Sequence, residues 1–146
     1  MEFLAATNVT FTISLVCCLY MTGLIWFVQI VHYPLFAKIP PEVLTSTYAP
    51  SHASRTSFVV IVPMIAELVT AIVLFLNPIA QMNSLQTICS LLLVIIIFLS
   101  TFLLQVPDHE EIQKHGLQKN ISHLVTWNWI RTIAWSTRSV ILISAL

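Results

Sequence analysis

Four long apolar segments, separated by three stretches where polar residues and prolines gather, make up almost the whole chain. A helix that crosses a bilayer needs about 20 mainly apolar residues. Segments at about 9–31, 56–76, 85–104 and 121–145 meet that requirement. Asn77-Pro78 stops the second segment, because proline disfavours helix in the residue before it. The connection from Asn77 to Ser84 is short, which predicts antiparallel neighbours. The connection from Tyr33 to Arg55 holds Pro34, Pro40, Pro41 and Pro50, and is expected to be irregular with a short helix. Pro107 marks the exit of the third segment, and Asp108 to His115 predict a brief amphipathic helix closed by Gly116. The predicted fold is all-α, a single transmembrane domain built as an up-down-up-down four-helix bundle.

Composition sharpens that reading. Of 146 residues, 58% are hydrophobic and 8% charged, against roughly a quarter charged in a soluble domain. The lipid bilayer is therefore the first expected partner. A net charge of zero argues against nucleic acid as a partner. Cys17, Cys18 and Cys89 fall inside apolar stretches and have neither disulfide nor zinc spacing. Basic residues near span ends set orientation. Lys38 and Arg55 lie in the first connection and Lys114 and Lys119 in the third, which predicts that both termini face away from the cytoplasm. The third segment is unbroken aliphatic and aromatic from Leu91 to Leu99. It is expected to face lipid, a second copy of the chain or a partner subunit.

All five histidines lie in or beside the first and third connections, at one mouth of the predicted bundle. Imidazole serves both metal ligation and proton transfer near neutral pH. His32, His52 and His109 come from three different segments and are expected to converge there, binding a metal or moving protons. A non-haem metal, iron or copper, fits that placement better than haem, because no histidine lies deep enough to face another across the bundle. Glu110, Glu111 and His115 read as a solvated acidic turn. Two glycines cannot form a dinucleotide-binding loop, and no serine or cysteine has a nucleophile context.

Ionisable groups at membrane depth tend to face the bundle interior or a wet cavity. Glu67 lies twelve residues past Arg55, about 18 Å along a helix, and Arg131 lies ten residues into the last segment, about 15 Å. Similar depth predicts a buried Glu67–Arg131 pair. Asn128, Arg131, Trp135 and Arg138 are spaced by 3, 4 and 3 and share one helical face. Arg138 lies close enough to the far interface to snorkel, and a purely structural role is expected for it. Gln29, one turn deeper than His32, is expected to orient it. His52, Arg55 and Glu67 also follow helical spacing. The expected catalytic set is His32, His52, His109 and Glu67. The expected substrate contacts are Gln29, Arg55, Asn128, Arg131 and Trp135.

The stretches GLIWFVQIVHYPLF, SHASRTSFVVIVPMIAELVTAIVLF, FLLQVPDHEEIQKHG and LVTWNWIRTIAWSTR resemble small four-span bacterial membrane proteins. More distantly, they resemble the anthrone-oxygenase-like family. The residues that carry the likeness are Pro107, His109, Asn128, Arg131 and Thr132, while His32 and His52 stand outside the pattern. The resemblance implies a bacterial inner-membrane protein, and an oxygenase acting on reduced aromatic polyketides without a well-defined cofactor. The leading expectation is a membrane-embedded oxidoreductase or oxygenase for a small lipophilic aromatic or quinone-like substrate. Its competitors are a non-catalytic subunit or small transporter whose buried charges serve packing or proton transfer, and a haem- or metal-binding module without turnover.

Overall fold

The computed structural model describes the backbone of residues 2–116 and 118–146, with side chains described at 9–116 and 119–146. Among these residues the structure is helical apart from 37–40, 77–83, 116 and 144–146, with no strand. Helix α1 spans Glu2–Phe27, α2 Tyr33–Phe36, α3 Pro41–Val43, α4 Ala49–Leu76, α5 Ser84–Ser100, α6 Val106–His115 and α7 Gln118–Ile143.

Several ends fall where the sequence puts them. Helix α4 stops at Leu76, before Asn77-Pro78. Asn83 starts α5 with a capping box: its side chain accepts from the Gln86 N–H while the Gln86 side chain accepts from the Asn83 N–H. Gly116 ends α6 at φ 62°, in the left-handed conformation that glycine adopts without steric penalty. A Cβ at Gly116 would also lie 3.0 Å from Thr45 Cγ2. Gly116→Ala is therefore expected to lower stability by about 1–2 kcal/mol, the left-handed penalty for an L-residue. Thermal unfolding in detergent measures it, and an unchanged midpoint would refute it.

The first connection departs from expectation. It is helical, not irregular, apart from residues 37–40. Three π-turns, Val28–His32, Leu44–Tyr48 and Thr101–Gln105, join the helices into longer rods. Each ends two residues before a proline: Pro34, Pro50 and Pro107. In each, the residue just ahead of the proline donates its N–H five positions back: Tyr33 to Val28, Ala49 to Leu44, and Val106 to Thr101. Proline lacks an N–H, and its ring clashes with the carbonyl four residues earlier. Widening the preceding turn by one residue absorbs that conflict without ending the helix. The widening also swings the residues that follow by about 100° relative to an unbroken α-helix.

Helix α1 packs on α4 and α7, and α5 packs on the same two, so α4 and α7 face each other diagonally across the bundle. Three rods, Val9–Phe36, Pro41–Leu76 and Ser84–His115, are long and apolar enough to cross a membrane. Helix α7 is as long as α1 but more polar. Asn128, Arg131, Thr132, Arg138 and Ser139 are all buried, while Ile133 and Val140 are exposed. Where the outer surface is apolar, polar contacts and small residues hold helices together. Here α1 presents Ser14, Cys18, Thr22 and Trp26 to α7, and the π-turn after it presents Gln29. Thr22 bonds Ser139 at 2.8 Å, the Trp26 indole donates to Ser136 at 3.0 Å, and Gln29 Nε2 donates to the Val125 carbonyl at 3.0 Å.

Two apolar clusters complete the interior. One fills the bundle around Met21, Ile25, Met64, Ile97 and Trp135. The other, around Tyr33, Phe36, Leu44, Ile112 and Leu124, underlies the histidine-bearing end. There Asp108 accepts from Asn120 at 2.6 Å and lies 3.7 Å from His123, holding α6 on α7.

Candidate functional site

Three histidines do converge. His32 Nε2 and His52 Nδ1 are 3.0 Å apart, and the His52 and His109 rings stack with centroids 5.3 Å apart. Phe36 meets all three edge-on, which fixes their ring planes. Thr56 Oγ1 lies 3.0 Å from His52 Nδ1, and Tyr33 Oη lies 3.0 Å from His109 Nε2. The first π-turn ends at His32 and turns both His32 and Tyr33 toward this cluster.

The metal expectation finds no support in this geometry. Among the described residues, no three or more His, Cys, Asp or Glu side chains are arranged to hold a metal ion. The reason is in the bonding: His32 and His52 direct ring nitrogens at each other, and His109 directs Nε2 at Tyr33. A His–His hydrogen bond needs one nitrogen protonated and the other bare. The arrangement suits proton sharing rather than three lone pairs aimed at one point.

Beside the histidines lies a cavity of about 390 Å³, between α4 on one side and the α5–α6 rod on the other. Its walls are mainly apolar, with Val60, Met64, Phe98 and Phe102 among them. The lining residues Ile61, Ile65, Phe102 and Val106 are also exposed on the outer surface, so the cavity opens sideways between the two rods. Tyr33, Gln105 and Arg131 line it as buried residues and so form a polar inner end, with the half-buried His52 and His109 also in the lining. Arg131 is only 6% exposed, lies over the Trp135 ring at 5.2 Å and borders the Tyr33 hydroxyl. Gln105 is 1% exposed, and neither its Nε2 nor its Oε1 has a partner.

The predicted Glu67–Arg131 pair is not formed. Glu67 pairs with Arg138, Nη1 to Oε1 at 3.3 Å, and accepts from the Trp135 indole at 2.8 Å. Arg138 is wholly buried rather than snorkelling, and it donates to Ser90 at 3.1 Å and Ser14 at 2.8 Å. Arg55 is six residues into α4 and Ile121 three into α7, so equal distances from them are not equal depths. From the observed helix starts, Glu67 is eighteen residues into α4 and Arg138 twenty into α7, which puts them level.

The remaining expected contacts divide. Gln29 does not orient His32. Its Oε1 instead accepts from Asn128 at 2.9 Å and from Thr132 at 3.4 Å, behind the cavity. Asn128, Gln29, Trp135 and Glu67 lie outside the cavity lining. Arg55 is exposed on α4 and is not part of it either. Tyr33, Thr56 and Gln105 belong to the site but were not in the expected set. A signal for Gln105 exists in the chain, since it precedes Pro107 by two positions as His32 precedes Pro34. Comparison with protein-family models, curated proteins and solved structures returns no match, so the chain's own geometry carries the functional reading.

Proposed function

We propose that this chain is an integral membrane oxidoreductase or oxygenase that takes a small lipophilic aromatic or quinone-like substrate from the bilayer into the cavity between α4 and the α5–α6 rod. The observation that carries this is the cavity itself, apolar at its lateral mouth and closed inside by Tyr33, His109 and Arg131. Its volume lies within the range of roughly 300–1,000 Å³ usual for small-molecule sites. Large apolar residues exposed on every rod, such as Val16, Phe58, Leu92 and Ile133, support insertion of the bundle in lipid. In this reading the chain crosses the membrane four times, up-down-up-down. The histidine-bearing end lies on the cytoplasmic side, following the basic residues of the first and third connections.

The chemistry follows from the inner end. Tyr33 stands between the His109 ring and Arg131. An aromatic hydroxyl or activated C–H presented there gives its proton to His109, directly or through Tyr33. The oxygen on which charge develops faces the guanidinium, which stabilises it in a site that excludes water. Dioxygen, soluble in the apolar cavity, oxidises the resulting electron-rich anion: a hydroquinone yields the quinone as O2 is reduced to hydrogen peroxide, and an anthrone methylene yields a carbonyl with the second oxygen atom released as water. His32 and His52 continue the proton path from His109 toward the mouth.

The test is dioxygen consumption by protein in lipid nanodiscs supplied with an anthrone or a naphthohydroquinone, above the autoxidation rate. Turnover is expected in the native protein and is expected to be lost in Arg131→Ala. Turnover unchanged in an Arg131→Ala protein that keeps its helical content would remove the assignment.

A further inference from the structure

Two arginines lie seven residues apart on the same face of α7, and the protein treats them differently. Arg138 has a carboxylate, Glu67, and two hydroxyl acceptors, Ser14 and Ser90. Arg131 has no carboxylate within ion-pair distance among the described residues. Its neighbours include the Trp135 ring, the neutral Tyr33 hydroxyl and the His109 ring, none of them anionic, and its Nε has no partner. Glu110 also lines the cavity, but it is exposed and lies 3.6 Å from Lys114. A guanidinium stays protonated in proteins, so Arg131 cannot escape the cost of burial by losing its charge. The cavity is thus a mainly apolar space with one uncompensated positive charge at its inner end.

Gln105 sharpens the requirement. Both its amide atoms are buried without partners, and the side chain lines the same cavity. The third π-turn ends at Gln105 and holds it there. An amide offers one acceptor and two donor hydrogens, so it complements a head group with an oxygen to accept and, where present, a hydroxyl to give.

We infer that the molecule held in this cavity is a lipophilic monoanion, a flat oxyanion with its charge spread over two oxygens on an apolar body, anchored jointly by Arg131 and Gln105. This rests on reading the cavity as a substrate pocket and adds the charge state of its occupant, whose remaining hydroxyl or activated C–H is the group that His109 deprotonates, and a second anchor. A carboxylate on an aromatic body and an ionised hydroxyquinone share this chemistry. The lateral opening admits the apolar body, and the anionic head supplies the counter-charge that the protein withholds from Arg131. A hydrogen bond to a charged group contributes about 1.5–3 kcal/mol, which corresponds to a preference of roughly ten- to hundredfold for the anion over a neutral ether.

The experiment measures binding, not turnover, on the full chain in nanodiscs by tryptophan quenching and calorimetry. Two matched pairs serve as probes: a hydroxynaphthoquinone ionised at neutral pH against its O-methyl ether, and naphthoic acid against naphthylmethanol. At least tenfold tighter binding of one anion than of its neutral partner is expected, and the pair that shows it identifies the kind of head group. That preference is expected to vanish in Arg131→Gln and in Gln105→Glu, where an internal carboxylate replaces the ligand's charge. Gln105→Leu is expected to weaken the anion by about tenfold while leaving the neutral probe within about twofold. Equal binding of anion and ether would overturn the inference and leave the substrate pocket standing. Binding of no probe would overturn the pocket as well. An anion preference that survives both Arg131→Gln and Gln105→Glu would place binding elsewhere and overturn the inference.

Discussion

Replacing Glu67 by leucine is expected to lower the unfolding free energy by about 3–5 kcal/mol, because it leaves Arg138 buried without a counter-charge. Two effects add. Arg138 keeps only the neutral hydroxyls of Ser14 and Ser90, and the Trp135 indole loses its acceptor. The double variant Glu67→Leu/Arg138→Leu is expected to recover most of the loss, since a buried pair replaced as a unit is often close to neutral. Glu67→Gln separates the contributions: it retains an oxygen for Trp135 but no charge for Arg138, and should fall between. Reversible unfolding in mixed micelles reads all three. If the single and double variants were equally unstable, the pair would not be what holds these helices, and loss of leucine-incompatible packing would explain both. If the single variant were as stable as the native protein, the burial argument itself would be refuted.

The position of the pair gives that energy an architectural meaning. Helices α4 and α7 are diagonal in the bundle, and the Glu67–Arg138–Trp135 contacts cross between them. Ser14 from α1 and Ser90 from α5 close the same network, so one buried pair ties all four long helices together. Pro63 lies one turn before Glu67, and α4 continues through it. We regard this network as the register device of the fold, separate from the cavity near the histidines.

How much of this could be read from the chain depends on the distance over which each signal acts. Helix stops were legible because they are local: Asn77-Pro78 and Gly116 act on their own backbone. The convergence of His32, His52 and His109 was legible because each sits at a helix end, where topology alone brings ends together. The partner of Glu67 was not. Choosing Arg131 or Arg138 depends on the relative heights of α4 and α7, and sequence alone does not fix their starting levels. The polar face of α7 was identified correctly as buried, yet it serves three different neighbours. Asn128 meets Gln29, Arg131 meets the cavity, and Arg138 meets Glu67. Ten residues of helix cover about 15 Å, too long for one face to belong to one site. The π-turns are not legible in the chain, because a proline there signals a helix break. A widened turn lets the helix continue, and it also aims Tyr33 and Gln105 in directions that α-helical spacing does not predict.

A second large loss of activity is expected at His109. It lines the cavity, stacks on His52 and bonds Tyr33, so it is the imidazole nearest an entering substrate that is also linked to the mouth. A positioned general base contributes about 10²–10⁴-fold, and His109→Ala is expected to reduce turnover by that factor with little change in substrate binding. Packing alone would give a different pattern, because a defect in the Phe36 cluster would weaken binding and stability together. Added imidazole is expected to restore part of the rate in His109→Ala, since the vacated volume is that of an imidazole ring. In the native protein the rate is expected to fall on acidification, because the base must enter the cycle unprotonated, and that limb should disappear in the variant. Tyr33→Phe tests the next link. If Tyr33 carries the proton, the rate falls with His109 still present, and imidazole does not rescue it. If the rate is unchanged, His109 acts on the substrate directly. A His109→Ala protein with full turnover would leave the histidine cluster as packing for the mouth of the bundle, and the acid–base part of the mechanism would have to be withdrawn.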